Sequence, residues 1–366
     1  VTTAAPAETV ADQAPSLHPP RRRWAGRVLV GAAALWLVFT LAHVMISGRS
    51  WLWLAVDTVP PPAFLLMPLV LGLGAIVSRH RRAVALLAAA GLLLGAGLSG
   101  VNLRWWQGGD GPAPPDVLRV FSWNTGYWDE WGQTEALYRV LREADADVYL
   151  LQEYWYEQGH PTEETLARLR AEFPEHQVVV LGELVTLSRV PVLRQVPVEA
   201  PDLPAAMAEA GDEWRYKALR TDLDLGTGRV LSTYNVHLPV QISPEHGPFD
   251  GDFYRIMREQ RAQREPQWRA LARDVRANPH PVLLAGDLNT TPAMGDLRKV
   301  PEGLRDAKYA MSSPYPASWG LRPGWPHWWR LDWAFVSPQV RVHDYRFGSA
   351  GGASDHRPQE LRVSMP

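Results

Sequence analysis

The chain has 366 residues, 46% of them hydrophobic, which leaves room for more than one folding unit since single domains usually run to about 100–200 residues. The absence of cysteine excludes disulfides, thiolate–zinc sites and thiol nucleophiles, and is compatible with export. The net charge of −2 hides a split: from Asp116 onward 28 Lys and Arg stand against 35 Asp and Glu, a formal −7. That balance disfavours duplex nucleic acid, whose affinity for proteins comes largely from phosphate neutralisation.

Residues 1–27 read as a disordered cytoplasmic tail, rich in Ala, Pro, Thr and Ser and closed by arginines. Three apolar stretches follow at 28–46, 59–77 and 83–101, each 19 residues long and close to the roughly 20 needed to cross a bilayer core. The pattern predicts three transmembrane helices within a membrane domain at 28–106. A cleaved signal peptide is the rival reading of the first stretch. Pro68 predicts a kink in the second. His43 reads as a polar group packed between helices or near the interface rather than a ligand.

Arg21, Arg22, Arg23 and Arg27 precede the first span, and Arg79, Arg81 and Arg82 separate the second from the third. The positive-inside rule puts both clusters in the cytoplasm and everything beyond the third span outside. Arg104, Trp105 and Trp106 then read as an interfacial anchor. Residues 107–115 are a Gly/Pro-rich linker, and a soluble domain occupies 116–366.

Within that domain strands are predicted at 117–123, 147–152, 177–181, 184–188, 216–225, 230–237, 282–285, 331–336, 340–347 and 359–363. Helices are predicted at 134–144, 162–172 and 253–277, the last interrupted at Pro266. Such alternation implies layered α and β structure with mixed sheets.

Short polar side chains sit at the ends of these strands: Asn124, Glu153, Asn235 and His237, Asp287 and Asn289, Asp332, and Asp355 with His356. Singly, most are explained as turn residues. Glu153, after an apolar run, is harder to explain that way, because carboxylates are seldom buried without a partner. Rigid strand ends can hold such groups to catalytic tolerance.

The ordered series Ser122-Trp123-Asn124, Leu151-Gln152-Glu153, Leu187-Ser188-Arg189, Tyr234-Asn235-Val236-His237-Leu238, Gly286-Asp287-Leu288-Asn289, Leu331-Asp332-Trp333 and Ser354-Asp355-His356 resembles the motifs of the endonuclease/exonuclease/phosphatase superfamily. That superfamily includes DNase I-like nucleases, neutral sphingomyelinases and inositol polyphosphate phosphatases. The resemblance covers about residues 117–364. It implies an α+β domain, a DNase I-like four-layer α/β sandwich with two mixed sheets, and Mg²⁺ at one edge, with Mn²⁺ as the alternative.

By the same resemblance Glu153 is the principal metal ligand, with Asn124 beside it and Asp355 in or near the shell. Asp287 orients or deprotonates water, Asn289 holds the phosphate, and His237 and His356 donate to its oxygens. Asp332 fixes the tautomer of His356 and raises its basicity. Whether Asp287 or His356 accepts the proton stays open.

Three spans before such a domain are similar, more narrowly, to the VanJ-type glycopeptide-resistance membrane proteins. This implies a lipid bilayer and a lipid-linked phosphate, such as a polyprenyl pyrophosphate, as partners, with a role in antibiotic resistance. No feature identifies a protein partner. An exported nuclease, a phospholipid or sphingomyelin phosphodiesterase and a non-catalytic membrane receptor are the alternatives.

The sequence Asn124-Thr125-Gly126-Tyr127 departs from the nuclease pattern, and Asn235-Val236-His237-Leu238 is nearer the lipid-phosphodiesterase and phosphatase branches. Asn235, Tyr127 and Trp155 are candidate substrate contacts. Tyr127, Trp128, Trp131, Tyr154, Trp155, Tyr156, Trp319, Trp325, Trp328 and Trp329 crowd the expected rim. They suit core packing, a membrane interface or base stacking. Arg264 and Gln267 are expected to support the sheet edge.

Overall fold

A computed structural model describes residues 21–127, 132–154, 162–209, 211–241, 246, 247 and 249–365. Most of the predicted tail, together with Trp128, Trp131, Trp155 and Tyr156, lies outside the described residues. The helices are α1 (Arg21–Ile46), α2 (Leu54–Asp57), α3 (Ala63–Gly74), α4 (Arg81–Gly95), α5 (Thr134–Ala144), α6 (Glu163–Glu172), α7 (Ala205–Ala208), α8 (Asp212–Arg215) and α9 (Gly251–Ala277). The strands are β1 (Leu118–Asn124), β2 (Val148–Gln152), β3 (Gln177–Leu181), β4 (Leu184–Ser188), β5 (Val192–Pro197), β6 (Ala218–Asp224), β7 (Val230–His237), β8 (Val282–Asp287), β9 (Arg305–Asp306), β10 (Asp332–Val336), β11 (Arg341–Phe347) and β12 (Gln359–Ser364).

Among the described residues one helix is long and apolar enough to cross a membrane: Trp24–Ile46, 23 residues, with a mean hydropathy of 2.2 over its most apolar 18-residue window. α1 is described from Arg21, inside the predicted tail. The other two apolar stretches give shorter helices than predicted. α3 starts only after the prolines at 60–62 and runs through Pro68 to Gly74, followed by a 3₁₀ turn at Ala75–Val77. α4 ends at Gly95, where Gly95, Gly97 and Gly100 weaken the helix and Gly100 turns left-handed at φ 77°.

The strands form two six-stranded mixed sheets, ordered β11-β12-β1-β2-β4-β3 and β5-β6-β7-β8-β10-β9. Between them lies a core that includes Val120, Leu150, Leu231, Leu283, Ala334 and Leu361. α5 and α6 cover the outer face of the first sheet through Leu137, Leu141 and Leu169 against Phe121 and Tyr149. α9 covers the second through Trp268, Leu271 and Val275 against Tyr234 and Leu284. The result is the layered α+β sandwich that the strand pattern implied.

α9 is continuous through Pro266, contrary to the predicted interruption. A mid-helix proline costs about 3 kcal/mol. Burying Trp268 and Leu271 on the same face contributes roughly 1.5–3 kcal/mol each, enough to carry the helix through.

Gly286 is the tightest point of the second sheet. Its φ is 148°, and a Cβ there would lie 1.9 Å from the carbonyl oxygen of Val236 on the neighbouring strand. Gly286→Ala is therefore expected to lower stability by several kcal/mol, since backbone strain and a backbone–backbone collision add. Thermal unfolding of the full chain tests this: a Tm within about 2 °C of the parent would refute it.

Candidate active site

Two parallel strand pairs, one in each sheet, end side by side. β1 runs parallel to β2 with Asn124 opposite Gln152, and β7 runs parallel to β8 with His237 opposite Asp287. β10 lies antiparallel on β8 and sets Asp332 opposite the same Asp287. His237, Asp287 and Asp332 thus stand in one row across three neighbouring strands. Just beyond, Glu153 and Asn289 sit in the left-handed region at φ 51° and 45°. Asparagine tolerates that conformation, whereas for glutamate it is a strained setting of the kind that clusters at functional sites.

Asp287 is the hub. Its Oδ2 accepts from Asn124 Nδ2 at 3.0 Å, joining the two sheets, and its Oδ1 accepts from the Asn289 N–H at 2.7 Å. The Nε2 atoms of His356 and His237 lie 3.7 and 3.8 Å from Oδ2. Each imidazole is gripped at Nδ1 by a buried carboxylate at 2.9 Å, His356 by Asp332 and His237 by Glu183. His237 Nε2 is also 3.4 Å from Glu153 Oε1. Asn289 Nδ2 donates to the Leu238 carbonyl at 2.8 Å.

Burial and charge set the protonation states. Burial pushes the Glu153 carboxyl up to about 7, with His237 pulling down and Glu183 pushing up. Burial also raises Asp287, with the neighbouring His356 opposing and Asp332 adding. For His356 burial acts downward, but the charges of Asp332 and Asp287 outweigh it and hold the ring well above its ordinary value. His237 is raised in the same way, with Glu183 outweighing burial. Glu183 itself is brought down to about 2, because His237 and Lys217 overcome its burial.

Glu183 and Lys217 were not singled out from the sequence. Lys217 donates to Glu183, which holds His237, so a buried Lys–Glu–His series stands behind the site. The one signal for Glu183 was a charge after Gly182 between two apolar runs. Nothing set Lys217 apart from other lysines.

The predicted residues are placed as follows. Asn124, Glu153, His237, Asp287, Asn289, Asp332 and His356 converge. Asp355 adjoins them and accepts from the Trp319 indole at 2.8 Å. Tyr127 is on the rim, 42% exposed, whereas Trp155 lies outside the described residues. Asn235 corrects an expectation. It is fully buried, donates to the carbonyls of Leu151 and Val185, and accepts from Gln152 at 2.6 Å. Its amide is used up stitching the sheets together, so it does not face a substrate.

Asp287, Asp332 and His356 offer possible ligand atoms all within 4.8 Å of one another. Asp332 and His356 already bond each other, so this trio is a carboxylate beside a carboxylate–imidazole pair. Glu153 fits a divalent cation better. It is a mostly buried carboxylate, 13% exposed, whose pKa is pushed up to about 7 chiefly by desolvation, beside the amide of Asn124. Hard oxygen donors of this kind suit Mg²⁺ or Mn²⁺.

The sequence profile of the Endonuclease/Exonuclease/phosphatase family matches residues 121–356, a stretch that holds every site residue from Asn124 to His356. No curated protein matches the sequence. Among solved structures, the fold is shared with a D. rerio TDP2 humanized by 14 mutations. Identity is 16% and the TM-score 0.52, covering 68% of this chain and 100% of that one. A mannosyl-6-phosphatase, Bt3783 of Bacteroides thetaiotaomicron VPI-5482, is similar at 15% identity and a TM-score of 0.48, covering 68% and 100%. An AP endonuclease from Archaeoglobus fulgidus is similar at 14% identity and a TM-score of 0.46, covering 68% and 99%.

Proposed function

The chain belongs to the endonuclease/exonuclease/phosphatase family of phosphoesterase-type hydrolases, and we propose that it is a membrane-anchored, divalent-metal-dependent enzyme acting on a lipid-linked phosphate ester or pyrophosphate. The metal is Mg²⁺ or Mn²⁺. A polyprenyl pyrophosphate outside the cytoplasmic membrane is the favoured substrate, with glycopeptide resistance as the corresponding phenotype.

In this reading Glu153 and Asn124 hold the cation, with Asp355 beside them. When bound, the cation neutralises charge on the phosphate oxygens and on the pentavalent transition state. Asp287 accepts the proton of the attacking water, its basicity raised by burial. His356 is kept protonated by Asp332 and Asp287, so it donates rather than accepts. His237, oriented by Glu183, and the amide of Asn289 donate from the opposite side.

The observation that carries the lipid substrate is where the site edge sits. α1, α3 and α4 pack as a bundle through Ala33, Leu71 and Ala88. Its outward side chains are apolar, among them Leu35, Val38, Val70, Leu73, Ile76 and Leu93. An apolar outer face of this extent suits a bilayer better than water. α3 with its 3₁₀ turn spans 15 residues, as does α4. That is about 22 Å each, so they cross the core only with their flanking turns.

Both arginine clusters lie at one end, where a Cβ on Gly26 would be 3.2 Å from His80. The hydrolase domain is docked on the other end, which favours its placement outside the cytoplasm. Tyr315 joins the two rims: it lies beside Gly100 at the bundle end and donates to the carbonyl of Trp328, whose N–H donates to the carbonyl of Trp319, the residue whose indole bonds Asp355.

The test is Mg²⁺- or Mn²⁺-dependent phosphate release from undecaprenyl pyrophosphate by the detergent-purified full chain. An EDTA control and a plasmid-nicking assay run beside it. Release without nicking is expected; nicking without release would move the assignment to a nuclease.

A further inference from the structure

The end of α1 is built into the loop that follows the site. Ser47 Oγ accepts from the Gly295 N–H at 2.7 Å, and Arg298 donates to the Ser47 carbonyl. Arg261 donates to the Gly48 carbonyl at 2.6 Å. One turn earlier, His43 Nε2 donates to the Ala293 carbonyl at 2.8 Å while its Nδ1 accepts from the Trp53 indole at 3.2 Å. The two backbones touch: a Cβ on Gly48 would lie 2.5 Å from the carbonyl carbon of Gly295. Polar groups at the end of an apolar helix are costly unless bonded, and apart from the bonds to Trp53 and Asp57 these go to residues 293–298 or to Arg261.

The same loop is gripped from its other side by Arg264, which is fully buried. Arg264 donates to the Pro239 carbonyl, to the Leu288 carbonyl at 3.3 Å and to Thr290 Oγ1 at 2.8 Å, and meets Asp296 Oδ2 at 3.5 Å. Next to Pro239, the Leu238 N–H donates to the Asp287 carbonyl at 2.9 Å, and the Leu238 carbonyl holds the Asn289 side chain. A series of bonds therefore runs from Ser47 through Gly295, Asp296 and Arg264 to the Leu288 carbonyl just after Asp287 and, by way of Pro239 and Leu238, to the Asp287 carbonyl.

We propose that Ser47, assisted by His43, is a positioning residue for the hydrolysis. It fixes the loop 288–298 and, through Arg264, the setting of Asp287 and Asn289. This rests on the hydrolase reading above. The helix is then part of the catalytic unit and not a passive tether. Ser47 touches no substrate; its effect is geometric. Misplacing a reacting group by about 1 Å can cost on the order of 10²-fold in rate.

The experiment uses the full chain in detergent, comparing the parent with Ser47→Ala. It measures hydrogen–deuterium exchange of 288–298 and Mg²⁺-dependent hydrolysis of bis(p-nitrophenyl) phosphate. Faster exchange in that loop is expected, with kcat down by about tenfold to a hundredfold and KM unchanged. Should Ser47→Ala not fold, His43→Ala carries the same comparison. Unchanged loop exchange would overturn the proposal, as would faster exchange with an unaltered kcat. If the parent hydrolyses neither this ester nor undecaprenyl pyrophosphate, the hydrolase reading falls by itself. The link is then decided by exchange at the Leu238 amide, where acceleration upholds it and no change overturns it.

Discussion

Asp287→Asn is expected to lower kcat by about 10²- to 10⁴-fold, the range for loss of a general base, while leaving the fold intact. Both carboxylate oxygens are engaged, one with Asn124 across the sheets and one with the Asn289 N–H. An amide keeps one acceptor and turns an NH₂ toward the NH₂ of Asn124 or the N–H of Asn289, a local loss of about 1–3 kcal/mol. Removing a carboxyl whose ionised form is disfavoured by burial offsets part of that cost. Activity should therefore fall far more than Tm. The measurement is steady-state hydrolysis of a lipid-linked pyrophosphate at saturating Mg²⁺, beside thermal unfolding. A kcat within tenfold of the parent would remove Asp287 from the role of base.

Most of the sandwich was legible because its signals are local. The apolar runs at 177–181, 184–188 and 230–237 and the helical run at 134–144 became β3, β4, β7 and α5 with the same limits. β5 was not predicted. It is an exposed edge strand, with Arg194 and Gln195 facing solvent, and carries little hydrophobic pattern. Pro266 misled because a propensity penalty is local and the burial that overrides it is tertiary.

The convergence of Asn124, Glu153, His237, Asp287, Asn289, Asp332 and His356 was readable as a series of polar residues at strand ends. The fate of Asn235 was not. Whether a polar group at a strand end faces the mouth or the seam between sheets depends on packing across more than eighty residues of sequence. Separation along the chain also hid Lys217 and Glu183, which are 34 residues apart, and the junction of Ser47 with Gly295, separated by 248 residues.

Asp332→Asn should affect the pH dependence as well as the rate. His356 is held well above its ordinary value, and Asp332, hydrogen-bonded at 2.9 Å, is the largest upward influence on it. A group that works in its protonated form supports activity below its pKa and loses it as pH rises through that value. In the parent, the alkaline limb of kcat is therefore expected well above 6.5. Replacing the carboxylate by an amide removes the charge that stabilises the imidazolium, so the pKa falls and the limb moves to lower pH. The amide also no longer enforces the Nδ1–H tautomer, a loss that reaches about 10⁴-fold in a serine-protease triad. If, as proposed, the imidazole donates and is not the base, about 10²-fold at neutral pH is the expected scale. A pH–rate profile of the variant at saturating Mg²⁺ decides the matter. An unshifted alkaline limb would mean that His356 does not act as the proton-bearing donor, and would return to it the role of base assigned here to Asp287.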